Sequence, residues 1–201
     1  MESRLILASR SPRRYELLTR MGLDVEVVPS EIEERSAPGE SPRDHVIRLA
    51  RAKAFDAGTR YPDRWVIGAD TIVYVNGTLL GKPRTPDEAV AMLGLLSGRE
   101  HQVLTGFSVC HLKKGKADQD AVQTAVRVKS LNQKEIQWYI GTEEPFDKAG
   151  AYAIQGIGSF MIESIQGSYT NVVGLPMCEL VQMMTRLGAI EIAECELRIV
   201  Q

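Results

Sequence analysis

Several features that mark common classes of protein are scarce or missing in this sequence. It contains only three cysteines, Cys110, Cys178 and Cys195, and no two of them have the C-x-x-C spacing. An odd number of cysteines without that spacing argues against a disulfide framework and against a structural zinc site. No apolar run approaches the roughly 18 residues that a membrane-spanning helix needs, and the apolar segment at residues 5–9 is too short for a signal peptide. We therefore expect a cytoplasmic protein with free thiols.

A surplus of positive charge is also missing. The chain carries 24 Lys and Arg residues against 26 Asp and Glu residues, which gives a net charge of −2 and a pI of about 6.0. This balance provides no bulk field for a nucleic-acid backbone or an anionic membrane, and two tryptophans with four phenylalanines are few aromatic rings for binding bases. Neither nucleic acid nor membrane is an expected partner, and any anion site must be a local cluster of basic residues.

Familiar catalytic signatures are absent as well. The P-loop pattern GxxxxGK[ST] does not occur, and no Ser-His-Asp set is suggested. The three histidines, His45, His101 and His111, lack the H-E-x-x-H spacing of zinc peptidases. We expect these histidines to be structural or exposed.

Local signals along the chain indicate the fold class. A length of 201 residues favours a single domain, residues 1–201, or one domain of two lobes. Helix starts are predicted where a capping residue precedes proline, at 11–12, 41–42 and 85–86, and Asn76-Gly77 predicts a hairpin. Further predictions are strands at 65–69, 71–75 and 159–165, a loop at 166–175 and a helix at 177–187. Interleaved in this way, the elements indicate an α/β protein whose mixed, twisted sheet is flanked by helices.

Basic residues occur at two places that suit a phosphate. Ser9 and Arg10 precede a helix start, and Arg13 and Arg14 fall in its first turn, where cations oppose the helix dipole unless an anion binds. Lys53 lies on the apolar face of the helix that begins at 42. The alternatives are a solvated helix start and a lysine that extends outward past its apolar neighbours.

Acidic residues suggest a catalytic or metal site. Asp70 separates two apolar runs, where it marks either a bulge or turn between two strands or a functional carboxylate at a strand end. Glu31, Glu33 and Glu34 form a cluster that is either a solvated loop or, together with Asp70, a source of oxygen ligands for Mg²⁺ or Mn²⁺. Lys82 follows the hairpin, where the local sequence favours an exposed lysine at a strand end.

Taken in order, these pieces resemble the Maf family of nucleotide pyrophosphatases. The similarity runs from residue 5 to about residue 187, and its specificity lies in the joint order of the matching stretches. These are Leu-Ala-Ser-Arg-Ser-Pro-Arg-Arg (7–14), Gly-Ala-Asp-Thr (68–71), Leu-Gly-Lys-Pro (80–83), Leu-Ser-Gly-Arg-Glu-His (96–101), Lys-Ala-Gly-Ala-Tyr-Ala-Ile-Gln-Gly (148–156) and Gly-Ser-Tyr-Thr-Asn-Val-Val-Gly-Leu-Pro (167–176).

The resemblance implies a Maf/ITPase-like fold of two lobes around a cleft. It implies hydrolysis of nucleoside triphosphates at the α-phosphorus with a divalent metal cation, Mg²⁺ or Mn²⁺, and it is compatible with a homodimer. By this resemblance Asp70 is the catalytic proton acceptor, and Glu33 is an acidic position near the metal that Asp70 also binds. The matching substrate-binding positions are Ser9, Arg13, Arg14, Lys53 and Lys82.

The preferred base follows from one side chain. The family has one branch that looks specific for dTTP and UTP, and this chain shares the Ile-Gln-Gly of that branch at residues 154–156. The branch for methylated GTP has a glutamate at the position of Gln155. An amide offers both a donor and an acceptor, which match the O4 and N3–H edge of thymine or uracil. Arg13, Thr71 and Gln155 match the positions tied to specificity. We expect dTTP and UTP as substrates.

Two alternatives remain open at this point. One is a housecleaning pyrophosphatase for non-standard or methylated purine nucleotides, against which Gln155 argues mildly. The other is a nucleotide-binding regulator of septum formation, the process after which the family is named. Asp70 favours catalysis, because a protein that only binds nucleotide needs no carboxylate beside a triphosphate unless it holds a metal.

Overall fold

Capping side chains account for the starts of the helices at residues 42, 86 and 133. In the computed structural model, which describes residues 5–35, 37–193 and 196–200, Ser41 accepts a hydrogen bond from Asp44 N–H and Thr85 accepts one from Glu88 N–H. Asn132 and Glu135 form a reciprocal capping box. The helices are α1 (Pro12–Thr19), α2 (Pro42–Arg60), α3 (Pro86–Leu96), α4 (Gln133–Ile140), α5 (Tyr169–Val173) and α6 (Met177–Leu187).

The described residues form the strands β1 (Leu5–Leu7), β2 (Val25–Val27), β3 (Val66–Val75), β4 (Thr78–Leu80), β5 (Glu100–His111), β6 (Lys116–Val128), β7 (Ile162–Gln166), β8 (Ile190–Ala193) and β9 (Glu196–Ile199). Seven of these strands make up a main sheet of mixed direction. Its order is β2-β1-β3-β5-β6-β7, with β4 paired to β3. β1 runs parallel to β2 and β3, whereas the β3–β4 and β6–β7 pairs are antiparallel. A separate two-stranded sheet pairs β8 with β9. The α/β prediction with a mixed sheet is therefore confirmed.

The chain divides into two compact units. The first consists of Met1–Asp70, Thr105–Val122 and Gly174–Gln201, and the second of Thr71–Leu104 and Gln123–Val173. In the first unit, Leu7, Ile67 and Leu180 belong to an apolar core to which β1, β3 and α6 contribute. In the second, Leu93 and Tyr139 belong to a core to which α3 and α4 contribute. The predictions of one domain and of a cleft between two lobes remain predictions.

Three local predictions differ from the structure. Residues 65–69 and 71–75 do not form two strands, because β3 runs unbroken from Val66 to Val75. Residues 159–161, predicted as the first part of a strand, belong to a 3-10 turn at Ile157–Met161. The loop predicted at 166–175 contains the short helix α5.

The sequence analysis also predicted that the cysteines are free thiols and that no apolar segment is long enough to span a membrane. Cys110 is buried and Cys178 is exposed, both as free thiols, and Cys195 lies outside the described residues. In the part of the chain that the structure describes, no helix combines the length and apolar character needed to cross a membrane.

Candidate active site

A buried ion pair joins α2 to β3 in the first unit. Lys53 Nζ lies 2.7 Å from Asp70 Oδ1, and both side chains are 9% exposed. Lys53 lies on the buried face of α2, on the same face as Val46, as its helical spacing predicted. The pair explains how an aspartate is tolerated inside a strand, because the ammonium compensates a carboxylate that is costly to bury alone.

Two glycines allow α2 to approach the sheet closely enough for this contact. A β-carbon at Gly68 would lie 2.2 Å from the Ala50 carbonyl oxygen, and one at Gly106 would lie 2.2 Å from the Val46 carbonyl oxygen. The helix backbone therefore packs directly on the backbones of β3 and β5. This contact sets the distance across which Lys53 reaches the sheet.

Asp70 keeps one carboxylate oxygen for other partners. Its Oδ1 accepts from Lys53, while Oδ2 has no hydrogen-bond partner among the described residues. A carboxylate oxygen with an open position can take a proton from water or bind a cation. The residue that the sequence singled out as catalytic therefore has an oxygen available for that role.

The acidic loop before α2 brings Glu34, rather than Glu33, to this pair. Glu34 Oε1 lies 2.6 Å from Lys53 Nζ, so that the ammonium bridges Glu34 and Asp70. Glu33 instead pairs with Arg35 at 2.6 Å, and its side chain is 69% exposed. The assignment of Glu33 to a metal remains a prediction. Glu34, which the sequence analysis named only as one member of the acidic cluster, is the member that contacts Lys53 beside Asp70.

Arg14 is the buried centre of the predicted phosphate loop. Its Nη1 donates to Ser9 Oγ at 2.9 Å and to the Ala69 carbonyl at 2.8 Å, and its Nε donates to the Gly174 carbonyl at 2.8 Å. Burial lowers the pKa of Arg14, and the Asp70 carboxylate acts in the opposite direction. Arg14 thus joins the loop at Ser9 to the residue before Asp70 and to the start of the segment leading to α6.

The other residues of this loop are more accessible. Arg13 is half-buried in the first turn of α1, and Arg10 is exposed. Ser11 occupies the N-cap position of α1, but its side chain makes no capping bond with the described residues. The free N–H groups of the first turn therefore remain available to an anion.

The donor set is compatible with a hard cation. Among the described residues, no group of three or more His, Cys, Asp or Glu side chains forms a ready metal cage. Asp70 and Glu34 both direct carboxylate oxygens toward the Lys53 ammonium, however, and carboxylate oxygens are the ligands that Mg²⁺ and Mn²⁺ prefer. Mg²⁺ usually binds through one or two carboxylates together with substrate phosphates, and the number of carboxylates here matches that pattern.

The remaining candidates belong to the second unit. Thr71 follows Asp70 in β3 and is half-buried, Lys82 is exposed, and Gln155 is half-buried. Neither Lys82 nor the Gln155 side chain has a polar partner among the described residues. A hydrogen bond of 2.9 Å from Gly150 N–H to the Gly81 carbonyl connects the segment that leads to Gln155 with the residue before Lys82.

The histidines do not join any of these groups. His45 contacts Glu40 with Nδ1 at 3.0 Å from Oε2, and His111 accepts from Lys114 N–H. His101 is 2% exposed, and its Nε2 lies 2.7 Å from the Tyr152 hydroxyl. All three are buried, in agreement with the structural alternative of the prediction.

Sequence comparison places these residues in a family. The profile described as Maf-like protein matches residues 4–187. The dTTP/UTP pyrophosphatase of Syntrophotalea carbinolica is 53% identical over 193 residues, which cover 95% of this chain and 88% of that protein. The dTTP/UTP pyrophosphatase of Syntrophus aciditrophicus is 50% identical over 190 residues, which cover 94% of this chain and 93% of that protein.

Among solved structures, the Ham1 protein of Staphylococcus aureus is a distant match. It shares 15% identity over 63% of this chain and 72% of its own, with a TM-score of 0.44. The family profile and the curated relatives, in contrast, cover nearly all of the chain. The chain belongs to the Maf family.

Proposed function

We propose that this protein hydrolyses dTTP and UTP to the nucleoside monophosphate and pyrophosphate. The names of the relatives that share about half of its residues support this activity. The observation that carries the proposal is the position of the Asp70 carboxylate. Lys53 donates a hydrogen bond to this carboxylate, and Arg14 donates one to the carbonyl of Ala69, the residue before Asp70. Such a combination of a positioned carboxylate and fixed cations suits attack by water on a phosphoanhydride.

In the proposed reaction, the oxygen of water bonds to the α-phosphorus. The bond between the α-phosphorus and the oxygen that bridges to the β-phosphorus breaks, and pyrophosphate leaves with that electron pair. Asp70 Oδ2, which has no hydrogen-bond partner among the described residues, accepts the proton of the attacking water. Carboxylates that act in this way must lie within hydrogen-bond reach of the water, and the contact with Lys53 restricts the orientation of Asp70.

The cations of the first unit are proposed to bind the triphosphate. Arg13 and the N–H groups at the start of α1 contact phosphate oxygens, and Arg14 keeps Ser9 in place beside them. Lys53 provides the ammonium nearest to Asp70 and Glu34. Charge develops on the leaving pyrophosphate as the anhydride breaks, and positive groups fixed before the reaction stabilise it.

A divalent cation is proposed as the cofactor. Asp70, with Glu34 or Glu33 from the acidic loop, would hold it through carboxylate oxygens. When bound, Mg²⁺ or Mn²⁺ supplies Lewis-acid stabilisation of phosphate charge. The protein's own residues then have to orient the water and exclude other nucleophiles.

Recognition of the base is assigned to Gln155, with Thr71 and Arg13 as further specificity residues. The Gln155 amide has no partner among the described residues, so both its donor and its acceptor are open to the O4 and N3–H edge of uracil or thymine. Lys82 is proposed to contact the phosphates. A cytoplasmic location and a homodimer are parts of the same proposal.

The test is pyrophosphate release from a panel of nucleoside triphosphates with Mn²⁺ or Mg²⁺, using the wild type beside Asp70→Asn. We expect turnover of dTTP and UTP, reduced by about 100-fold or more in the variant, since a general base contributes on that order. Turnover mainly of ITP or methylated GTP would keep the reaction and overturn the role of Gln155. Tight nucleotide binding without any turnover would overturn the enzyme and favour a regulator.

A further inference from the structure

The segment that carries Gln155 is held at its beginning by a buried tyrosine. Tyr139, in α4, is 1% exposed, and its hydroxyl accepts a hydrogen bond of 3.2 Å from Ala153 N–H. The same hydroxyl donates to Glu144 Oε1 at 2.8 Å. Ala153 stands two residues before Gln155, so Tyr139 fixes the backbone on one side of the amide.

Glu144 holds the other side of the same segment. Its Oε2 accepts from Ile157 N–H at 3.0 Å, and its Oε1 accepts from Gly158 N–H at 2.9 Å. These two amides follow Gln155 in the chain. Because Tyr139 also donates to Glu144, the two side chains form one hydrogen-bonded pair. This pair, here called the Tyr139–Glu144 clamp, accepts hydrogen bonds from the backbone before and after Gln155.

The glycines of the segment show how closely the clamp approaches. A β-carbon at Gly156 would lie 2.5 Å from Glu144 Oε2, and the φ of Gly156 is +77°. A β-carbon at Gly158 would lie 2.6 Å from the Tyr139 hydroxyl and 2.5 Å from the Ala153 carbonyl oxygen. Any other residue at these positions would push the clamp away. The small residues that the sequence shows around Gln155 are therefore explained by contacts within the protein.

Electrostatics are consistent with a carboxylate in this position. Burial by itself raises the pKa of Glu144, but the hydrogen bonds from Gly158, Ile157 and Tyr139 outweigh it, and the net shift is downward. Burial, followed by the bond to Glu144, raises the pKa of Tyr139. The hydroxyl thus remains a donor and the carboxylate an acceptor of three bonds.

From this geometry we propose that Tyr139 and Glu144 are positioning residues that determine base specificity through Gln155. The inference rests on the proposed function, in which Gln155 reads the pyrimidine edge. The clamp fixes the backbone at Ala153, Ile157 and Gly158 and leaves the Gln155 amide unpaired among the described residues. An amide on a fixed backbone presents its donor and acceptor in one orientation, which is what discrimination of uracil from cytosine requires.

The first measurement tests the clamp without any substrate. Amide hydrogen exchange at Ile157 and Gly158 is compared in the wild type, Tyr139→Phe and Glu144→Gln. We expect faster exchange at both amides in Glu144→Gln, because one acceptor oxygen becomes an N–H donor group and the oxygen that remains loses its charge and accepts more weakly. Unchanged exchange in a folded Glu144→Gln protein would overturn the clamp.

The second measurement tests its role in specificity. For UTP and CTP, kcat and KM are determined for the same proteins and for Glu144→Ala. We expect the ratio of kcat/KM for UTP to that for CTP to fall about tenfold in Tyr139→Phe and Glu144→Gln, and further in Glu144→Ala. Most of the loss should appear as a higher KM for UTP with kcat nearly unchanged, a split that a general loss of folded enzyme would not produce.

Tyr74→Phe is the matched control. Tyr74 lies in β3 of the second unit, and its hydroxyl has no hydrogen-bond partner among the described residues, so its removal should leave the ratio at the wild-type value. A wild-type ratio retained in Glu144→Ala, while UTP is turned over, would overturn the specificity role. A wild type that turns over neither UTP nor dTTP would overturn the proposed function itself, and hydrogen exchange would still decide whether the clamp exists.

Discussion

Lys53 and Asp70 form an ion pair between a helix and a strand, with Nζ 2.7 Å from Oδ1 and only 9% of either side chain exposed. Breaking such a pair by removing one partner leaves a charge buried without compensation. The pair therefore contributes to folding as well as to the proposed chemistry, and the two contributions can be separated by mutation.

Lys53→Met is expected to destabilise the protein by about 3 kcal/mol, because Asp70 then stays buried without its cation. The double variant Lys53→Met/Asp70→Asn should recover part of this loss, since both charges are then gone, while its activity stays as low as that of Asp70→Asn. Urea denaturation of the three variants and the wild type measures the free energies. Additive losses in the double variant would contradict a direct coupling between the two residues.

Gly68→Ala is expected to lower activity about 100-fold, because the new methyl group would force α2 away from β3 and move Lys53 from Asp70. Gly94→Ala is the matched control, since Gly94 lies in α3 with no atom within 4 Å of the added carbon. That variant should keep full activity and gain up to about 1 kcal/mol from better helix propensity. Pyrophosphate release and thermal unfolding, measured side by side, check both expectations. An active Gly68→Ala protein would show that the close packing is dispensable.

His101 is expected to make the folded state sensitive to acid. Burial lowers its pKa to about 4 from an ordinary value of 6.5, so the unfolded chain binds the proton more tightly than the folded protein does. Stability should therefore fall as the pH drops from about 6.5 toward about 4, with a loss of about 2 kcal/mol between pH 7 and pH 5.

His101→Gln tests this assignment, because glutamine does not titrate and can still bond to the Tyr152 hydroxyl. Denaturation at pH 7 and pH 5 should show a smaller difference in the variant than in the wild type. The comparison of the two proteins matters, because burial also lowers the pKa of His111, which adds to the same trend. Equal pH dependence in both proteins would rule out His101 as the source.

The different contacts of Glu33 and Glu34 lead to different predictions for how each residue affects binding of the proposed cofactor. Glu34 contacts Lys53 beside Asp70, whereas Glu33 pairs with Arg35 at the surface. We expect Glu34→Gln to raise the Mn²⁺ concentration for half-maximal activity about tenfold and Glu33→Gln to leave it nearly unchanged. A metal titration of both variants decides between them. The reverse order of effects would support the position implied by family resemblance.

Features that depend on neighbouring residues were predictable from the sequence. The helix start at 85–86 and the hairpin at Asn76-Gly77 each involve groups a few residues apart, and the structure contains helix α3 and the β3–β4 pair at these places. Helical periodicity likewise placed Lys53 on the buried face of α2. These signals are local, so a single sequence suffices to find them.

Features that depend on tertiary contacts were not predictable in this way. Asp70 looked like a break between two strands because β propensity disfavours it, whereas in the structure β3 is continuous and Lys53 from α2 compensates the charge of Asp70. Glu33 and Glu34 are adjacent in a loop without periodicity, so nothing local indicates which of them turns toward Lys53. The contacts of Glu144 were equally hidden, because its partners Ile157 and Gly158 lie 13 and 14 residues further along the chain, beyond the reach of local patterns.

The close packing of α2 on Gly68 and Gly106 also bears on how this protein tolerates change. Main-chain atoms of α2 contact main-chain atoms of β3 and β5 at these two glycines. The distance of Lys53 from the sheet therefore does not depend on which side chains α2 exposes. Substitutions at exposed positions of that helix, such as Arg51, are therefore expected to leave the contact between Lys53 and Asp70 unchanged. The absence of a β-carbon at Gly68 and at Gly106 thus makes the position of Lys53 insensitive to substitutions on the exposed face of α2.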